Sequence, residues 1–266
     1  MTALSTPRRD AVDRSDALGP LPGLGALLRK ELTEWRRSRR IWVVFAVSGL
    51  FMILSTLNSW LQANLPADPG EPAVTPITDP MLILIGAVSS QIFAVAAIFA
   101  VMGILVAERE SGTLAWTASK PVSRSGIWLA KYGAATTILW VVAGLLPLAA
   151  TVAAVAALYG GVPVMPVLIM GIGTALSIAF YVAVALAVST VVTSQAAVAA
   201  VAIGLMFLPQ LLGLFVPPQF MPTSIMQWTL MVATGEPAGV VTLLAWLATT
   251  VGLVVFSVRR MQSMEL

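Results

Sequence analysis

Apolar residues fall into six long runs that contain no charged side chain, and shorter polar segments separate them. An α-helix needs about 20 apolar residues to cross the hydrocarbon layer of a bilayer, and each run is close to that length or longer. The pattern therefore predicts an all-α integral membrane protein with six transmembrane helices. The runs cover residues 41–61, 81–107, 133–158, 164–192, 198–216 and 239–258.

The composition agrees with a membrane protein and narrows its chemistry. Only 10% of the 266 residues are charged, and the mean hydropathy is +0.92. The chain contains no Cys and no His, so disulfides, thiolate or imidazole metal ligands and the commonest general base are all absent. Because no apolar run carries an acid either, we do not expect an enzyme.

The positive charges predict how the chain lies in the membrane. Nine of the fifteen Lys and Arg precede the first run, four lie between the second and third, and two follow the sixth. Cytoplasmic segments of membrane proteins are enriched in such residues. We therefore expect a multi-pass protein of the cell inner (plasma) membrane, with both termini and the loop 108–131 in the cytoplasm and the loops 62–80 and 217–238 outside.

The segment 217–238 is apolar enough to resemble a seventh span. Counting it as one would place Arg259 and Arg260 outside, against the charge rule. We expect short interfacial or re-entrant helices there, and an extended proline-rich cap at 62–80. The remaining ends, 1–23 and 259–266, are expected to be cytoplasmic tails, the first of them mobile, and residues 41–258 to form the membrane domain.

Residues 24–40 have the pattern of an amphipathic helix. Apolar residues recur at helical spacing from Leu24 to Trp35, and Lys or Arg cover the other side. We expect a helix in the inner interface, in contact with membrane lipid. It either positions the first span or touches a cytosolic partner, or it serves only as a topology anchor, and these roles are compatible. Nucleic-acid binding is not expected beside a membrane span.

The loop 108–131 is longer than a connection between two spans requires. A short helix is predicted to begin at Ser111 or Gly112 and to stop at the Lys120–Pro121 pair, since proline restricts the residue before it. Apolar side chains in the loop, Trp116 among them, favour contact with a partner surface. The alternative is a solvated turn.

This loop resembles the loop between the second and third spans of ABC-2-type permeases, the membrane subunits of ATP-binding-cassette exporters. Its matching residues are Glu108, Gly112, Thr113, Leu114, Pro121, Val122, Ser123, Arg124 and Lys131. The upstream segment resembles the elbow helix of that family, and matches it at Leu28, Lys30, Glu31, Leu32, Arg37, Ser38 and Arg39. The resemblance covers about residues 24 to 260.

The resemblance implies that the loop holds a coupling helix that docks on a separate ATPase. The chain has no phosphate-binding loop of its own, so ATP and Mg would be bound by that partner and no cofactor by this chain. Two ATPase copies and a second permease, identical or related, are implied. The implied docking residues are Glu108, Glu110, Gly112, Thr113, Leu114, Trp116, Pro121 and Arg124, and the implied elbow residues are Leu28, Lys30, Glu31, Trp35 and Arg37.

By the same resemblance the second and fifth spans face the substrate path. The candidate path residues are Gln91, Phe93, Phe99, Met206, Phe207, Pro209 and Gln210, and ordinary helix packing is their alternative role. The lack of charge inside the spans disfavours an ion-driven carrier, and suggests a lipid-like, drug-like or other small amphipathic substrate, which the family would export. A non-transporting membrane anchor for a regulatory ATPase and a stand-alone carrier remain as alternatives.

Overall fold

The structure is a computed structural model that describes residues 21, 23–64, 80–89, 91–120, 122–213 and 215–264. The expectations for the tail at 1–20, for most of the outer loop at 62–80, for Pro121 and for the last two residues lie outside these ranges. All regular elements of the described residues are helical, which confirms the all-α prediction. They are α1 Leu24–Arg37, α2 Arg39–Asn64, α3 Pro80–Ser89, α4 Ile92–Val101, α5 Ile104–Glu110, α6 Thr113–Ala118, α7 Arg124–Leu139, α8 Leu146–Tyr159, α9 Val164–Ser189, α10 Gln195–Leu212, α11 Ile225–Thr234 and α12 Val240–Ser263.

Five helical stretches of the described chain are long and apolar enough to cross a membrane. They are Arg39–Asn58, Ile92–Glu110, Arg124–Tyr159, Val164–Ser189 and Val240–Ser263. A sixth, shorter apolar stretch is Gln195–Leu208 in α10. The segment that resembled a seventh span contains two 3₁₀ turns and the ten-residue helix α11. At 1.5 Å per residue α11 reaches about 15 Å, half the thickness of the hydrocarbon layer.

The second apolar run is not one continuous helix. Gln91, between α3 and α4, has a φ of 49°, in the left-handed region that non-glycine residues rarely adopt. A second interruption lies at Met102 and Gly103, between α4 and α5. The apolar pattern of the sequence does not reveal either break, because every residue from 92 to 107 is apolar or small. The helix α5 then leads to Glu108, at the end of the bundle where the loop to α7 begins.

The third span begins earlier than the apolar run predicted. Ser123 caps α7, since its hydroxyl accepts a 2.9 Å hydrogen bond from the Gly126 amide. In the middle of the span the backbone widens into a π-helical segment, Trp140–Leu145, which ends two residues before Pro147. Proline has no amide hydrogen to donate to the preceding turn, which explains why regular α-helical bonding fails there. The Trp140 indole donates to the carbonyl of Gly171 in α9 at 3.0 Å.

The helix α9 forms the centre of the bundle. Its residues from Phe180 to Ala187 are all buried, so that every face of this stretch contacts protein. In the first half of α9, Gly173 allows α11 to approach closely, since a Cβ there would lie 2.4 Å from Cγ2 of Thr229. By contrast, α2 and α12 present rows of exposed large apolar side chains. In a bilayer these rows would face lipid or another chain.

Candidate functional site

The loop after α5 contains a short helix whose two sides differ sharply. The backbone turns at Gly112, whose φ of 71° favours glycine, and α6 follows at once. Leu114 is buried, whereas Trp116 is 63% exposed and the Lys120 ammonium lies 3.5 Å from the centre of its ring. We call Glu110, Thr113, Trp116 and Lys120 the exposed loop face. Leu114 fixes α6 to the bundle while this face is open to solvent.

The beginning and the end of the loop are joined by a buried lysine. Lys131 in α7 is 1% exposed and donates to Oε1 of Glu31 in α1 at 2.9 Å. The same ammonium donates to Oε1 of Glu108 in the last turn of α5. Glu31 is itself buried, and Glu108 is partly buried. These three residues, the Lys131 triad, connect three helices that are distant in the sequence.

A further lysine extends these ion pairs to the surface of α1. The Lys30 ammonium lies 3.2 Å from Oε1 of Glu34 and 3.8 Å from Oε1 of Glu31. Partial burial by itself lowers the pKa of Lys30, but the nearby carboxylates of Glu31, Glu34 and Glu108 outweigh it and raise that pKa above its ordinary value. Lys30 therefore stays charged at any physiological pH.

A second set of contacts holds the loop from the other side. Arg109 donates to the carbonyl of Ser189 at the end of α9 at 3.0 Å, and also approaches the sulfur of Met264. Arg124, at the start of α7, donates to the carbonyl of Met264. Gln262 donates from its amide to the hydroxyl of Ser125 at 2.8 Å. We call these contacts the C-terminal tie, because all but the bond to Ser189 involve Gln262 or Met264 at the end of α12.

The amphipathic helix α1 packs its apolar side against the protein. Leu28 lies against Gly133 of α7, where a Cβ would be 3.6 Å from its Cδ1 atom, and Leu27 and Trp35 are buried. Glu31 stands between them on the same side, four residues from each. Sequence reasoning assigned Glu31 only by resemblance. The spacing of a lone acid among buried apolar positions was the signal for a buried partner.

The predicted docking residues do not all lie on one surface. Glu110, Gly112, Thr113 and Trp116 are exposed, Leu114 is buried, and Pro121 is outside the described residues. Glu108 and Arg124 are engaged in internal contacts, in the Lys131 triad and the C-terminal tie. The predicted elbow residues divide likewise, since Glu31 and Trp35 are buried, Leu28 is half-buried, and Lys30 and Arg37 are exposed.

Near the other end of the bundle is a cavity of about 290 Å³, beside the break in the second span. Its described lining residues are uncharged: Gln91, Met206, Gly213, Pro218, Met221, Thr223, Ser224 and Gln227. The Tyr181 hydroxyl lies 3.5 Å from Oε1 of Gln91, at the limit of a hydrogen bond. The buried hydroxyl of Thr223 has no partner among the described residues. The cavity lining thus contains amide and hydroxyl groups, and among them the Thr223 hydroxyl has no described partner.

Two of the predicted path residues, Gln91 and Met206, line this cavity. Phe93 is fully buried in the core, and Phe99 and Phe207 are exposed on the outside of the bundle. The side chains of Pro209 and Gln210 lie outside the described part of the chain. No group of three or more acidic side chains that could hold a metal ion occurs among the residues that the structure describes.

Long apolar helices around a buried centre, with charged contacts gathered at the ends of spans, define an integral membrane protein of the helical class. Over residues 25–263 the chain matches the family described as ABC-2 family transporter protein, and it belongs to that family. It is a membrane permease of an ABC transporter, and membership implies partnership with an ABC ATPase subunit. A comparison with curated proteins found no match.

Proposed function

We propose that the exposed loop face is the surface on which the ATPase subunit docks. The observation that carries this proposal is Trp116, a large aromatic side chain that is 63% exposed on a helix whose opposite side is buried. Tryptophan is among the residues that contribute most binding energy at protein interfaces. The loop is held at both ends by internal contacts, so the docking surface is preorganised, which lowers the cost of association.

The proposal includes a membrane topology of six spans, with both termini in the cytoplasm of a cell whose plasma membrane holds the protein. Five spans are the long apolar helices, and α10 is the sixth. With 18 residues α10 reaches about 27 Å, close to the hydrocarbon thickness. The exposed arginines of α1 and the pair Arg259 and Arg260 then lie on the same side as the exposed loop face. In this arrangement α11 is an outer, re-entrant element.

The complete transporter contains two permeases, identical or related, and two ATPase subunits. ATP and Mg are bound by the ATPase subunits, and this chain performs no catalysis. Its part is to convert their closure into movement of the spans. The absence of a phosphate-binding loop from the sequence supports this division of work.

The outer cavity supports an amphipathic substrate with an uncharged polar group. Its lining combines the amides of Gln91 and Gln227 with the hydroxyls of Thr223 and Ser224, beside apolar methionines. A charged group there would lack an opposite charge among the described lining residues and would bear the cost of desolvation. A lipid-like or drug-like molecule satisfies both kinds of lining, and we propose that it is exported.

The test is a mild-detergent pull-down of the tagged chain from its native host, with quantitative mass spectrometry of what remains attached. We expect an ATPase subunit in stoichiometric amount. Trp116→Ala is expected to reduce its recovery about tenfold or more, as for an interface hot spot. Trp42→Ala is the matched control, because Trp42 is 70% exposed but lies at the start of α2.

Arg124→Glu is a less specific variant, since it also breaks the contact with Met264. Equal ATPase recovery with Trp116→Ala and the native chain would place docking elsewhere. Recovery of the native chain alone, folded and without an ATPase, would favour a stand-alone carrier. A bound ATPase with no substrate-dependent turnover would favour a membrane anchor.

A further inference from the structure

We propose that Lys131 is a positioning residue that holds the beginning of the loop, at Glu108, to α1 and α7, two helices that already pack against each other. This inference rests on the proposed function, because it concerns how movement of a docked loop reaches the spans. The Lys131 side chain is almost fully buried, so a docked partner protein would not reach it. It acts through the residues that it binds.

The geometry of the Lys131 triad supports this role. Its ammonium donates to Glu31 in α1 and to Glu108 in α5, so one group joins elements that are 100 and 23 residues away along the chain. Glu108 is two residues before the exposed Glu110, and Lys131 lies seven residues into α7. A force applied to the exposed loop face thus reaches both helices through charge-assisted hydrogen bonds.

The surroundings of the triad make the ion pairs important for this connection. A cavity of about 240 Å³ lies between α1 and the second span, lined by Glu31, Trp35, Gly103, Ala107 and Glu108 among others. Apolar packing between α1 and α5 is therefore incomplete, and the triad bridges the space. The C-terminal tie holds the loop to α9 and α12 and makes no described contact with α1.

Charge balance predicts what removal of the lysine does. The triad has two carboxylates for one ammonium, and Glu31 is 5% exposed. Without Lys131 the two carboxylates would face each other with only the exposed Lys30, 3.8 Å from Glu31, to offset their repulsion, so that α1 and α5 would move apart. Loss of the lysine therefore separates the loop from α1 instead of merely weakening the contact.

The absence of Cys from the chain makes a direct test simple, since two introduced cysteines take two spin labels without background. In the first experiment the labels replace the exposed residues Thr33 in α1 and Ala115 in α6, and their distance distribution is measured in the permease in nanodiscs without ATPase. Lys131→Met is expected to broaden this distribution about twofold, as the two helices move independently. Lys131→Arg is expected to restore the native width.

Two more variants keep the first experiment informative. Glu108→Gln retains the buried pair of Lys131 and Glu31, so it is expected to fold even if Lys131→Met does not. It should still broaden the distance distribution. Glu34→Gln is the control, because it removes only the pair with Lys30 on the exposed side of α1. A native width in both Lys131→Met and Glu108→Gln would overturn the proposal.

The second experiment adds the ATPase subunit and places the labels at Thr33 and at the exposed Glu236, far from the exposed loop face. Trapping with ATP and vanadate should shift this distance in the native chain and in Lys131→Arg, and the shift should be lost in Lys131→Met with the ATPase still bound. A full shift in Lys131→Met would overturn the role in coupling. A native chain that binds no ATPase would overturn the proposed function and the coupling role with it, but the first experiment would still report the connection itself.

Discussion

The two ends of the bundle, which are its inner and outer ends in the proposed topology, differ in the polar groups that they contain. At the inner end the polar groups are charged and paired across long distances in sequence, as in Lys131 with Glu31 and Arg124 with the carbonyl of Met264. Around the outer cavity the described polar groups are uncharged, and the buried Thr223 hydroxyl has no described partner. The second span runs between both ends and leaves regular helical geometry at Gln91.

This contrast separates two requirements of a permease. Charge-assisted contacts are directional and strong in a low-dielectric setting, so they suit an end that must transmit force. Uncharged hydroxyls and amides accept or donate to many partners, so they suit an end that must receive a molecule and release it. The inner end should therefore respond to substitution mainly by losing stability, and the outer end mainly by changing what it binds.

The largest effect is expected at the Lys131 triad. Lys131→Met leaves two carboxylates without their common partner, and breaking a buried ion pair in this way costs about 3–5 kcal/mol. The measurement is the thermal inactivation midpoint of the protein in nanodiscs, with Lys120→Met as the control for an exposed lysine of the same loop. Equal midpoints for the two variants would mean that the inner end does not depend on the pairing.

A smaller loss is expected where α9 and α11 meet. A methyl group on Gly173 would lie 2.4 Å from Thr229, so Gly173→Ala must push the helices apart, at about 1–3 kcal/mol for an overpacked site. Gly204→Ala is the matched control, since nothing lies within 4 Å of a Cβ there. In the same thermal assay the midpoint of Gly204→Ala should equal or exceed that of the native chain. A tolerated Gly173→Ala would show that the outer end can repack.

At the break in the second span, a substitution of Gln91 is expected to preserve or raise stability instead of lowering it. Gln91→Gly permits the positive φ without strain and should leave stability unchanged or raise it by about 1 kcal/mol. It also removes an amide from the outer cavity, so transport should weaken while stability does not. Gln227→Ala is the comparison, since it removes another lining amide from a position without such backbone strain. A clear loss of stability in Gln91→Gly would mean that the Gln91 side chain stabilises the fold through its contacts.

The smallest effect is expected at Lys30. Its pKa is raised in the folded state, so its contribution to stability is complete below the unfolded pKa and is lost as the pH rises through the folded value, which lies in the alkaline range. The side chain is largely solvent-accessible, and screening keeps such a pair below about 1 kcal/mol. Lys30→Met should therefore barely alter the midpoint at pH 7. A large loss of stability at that pH would show that Lys30, on the surface of α1, belongs to the same network as the Lys131 triad.

Local sequence patterns predicted the helices well, because membrane helices need long apolar runs and because Gly112 marks the turn before α6. They did not predict where the runs deviate from regular helix. The strained Gln91 depends on packing against other helices, and only Pro147 gave a local sign of the π-helical segment. The start of α7 at Arg124 was also missed, because a charged residue ends an apolar run but does not end a helix.

Resemblance singled out the loop that holds the candidate site, but it did not predict how the residues of that loop are arranged. Family resemblance singled out Glu108, Arg124 and Lys131 as residues of one loop. The structure shows that each of them bonds to another part of the chain. Such pairing depends on the tertiary fold, so neither periodicity nor a linear motif reveals it. The exposed Trp116 is the residue for which the sequence pattern and the geometry agree best.

The π-helical segment interrupts the third span at Trp140, which is anchored to α9. Lys131 lies nine residues from Trp140 toward the loop, and Tyr159 lies nineteen residues from it at the other end of the span. At 1.5 Å per residue these distances are about 14 Å and about 28 Å. A tilt about Trp140 would therefore displace Tyr159 about twice as far as Lys131. Motion applied at Lys131 would be enlarged at Tyr159, as in a lever driven from its short arm.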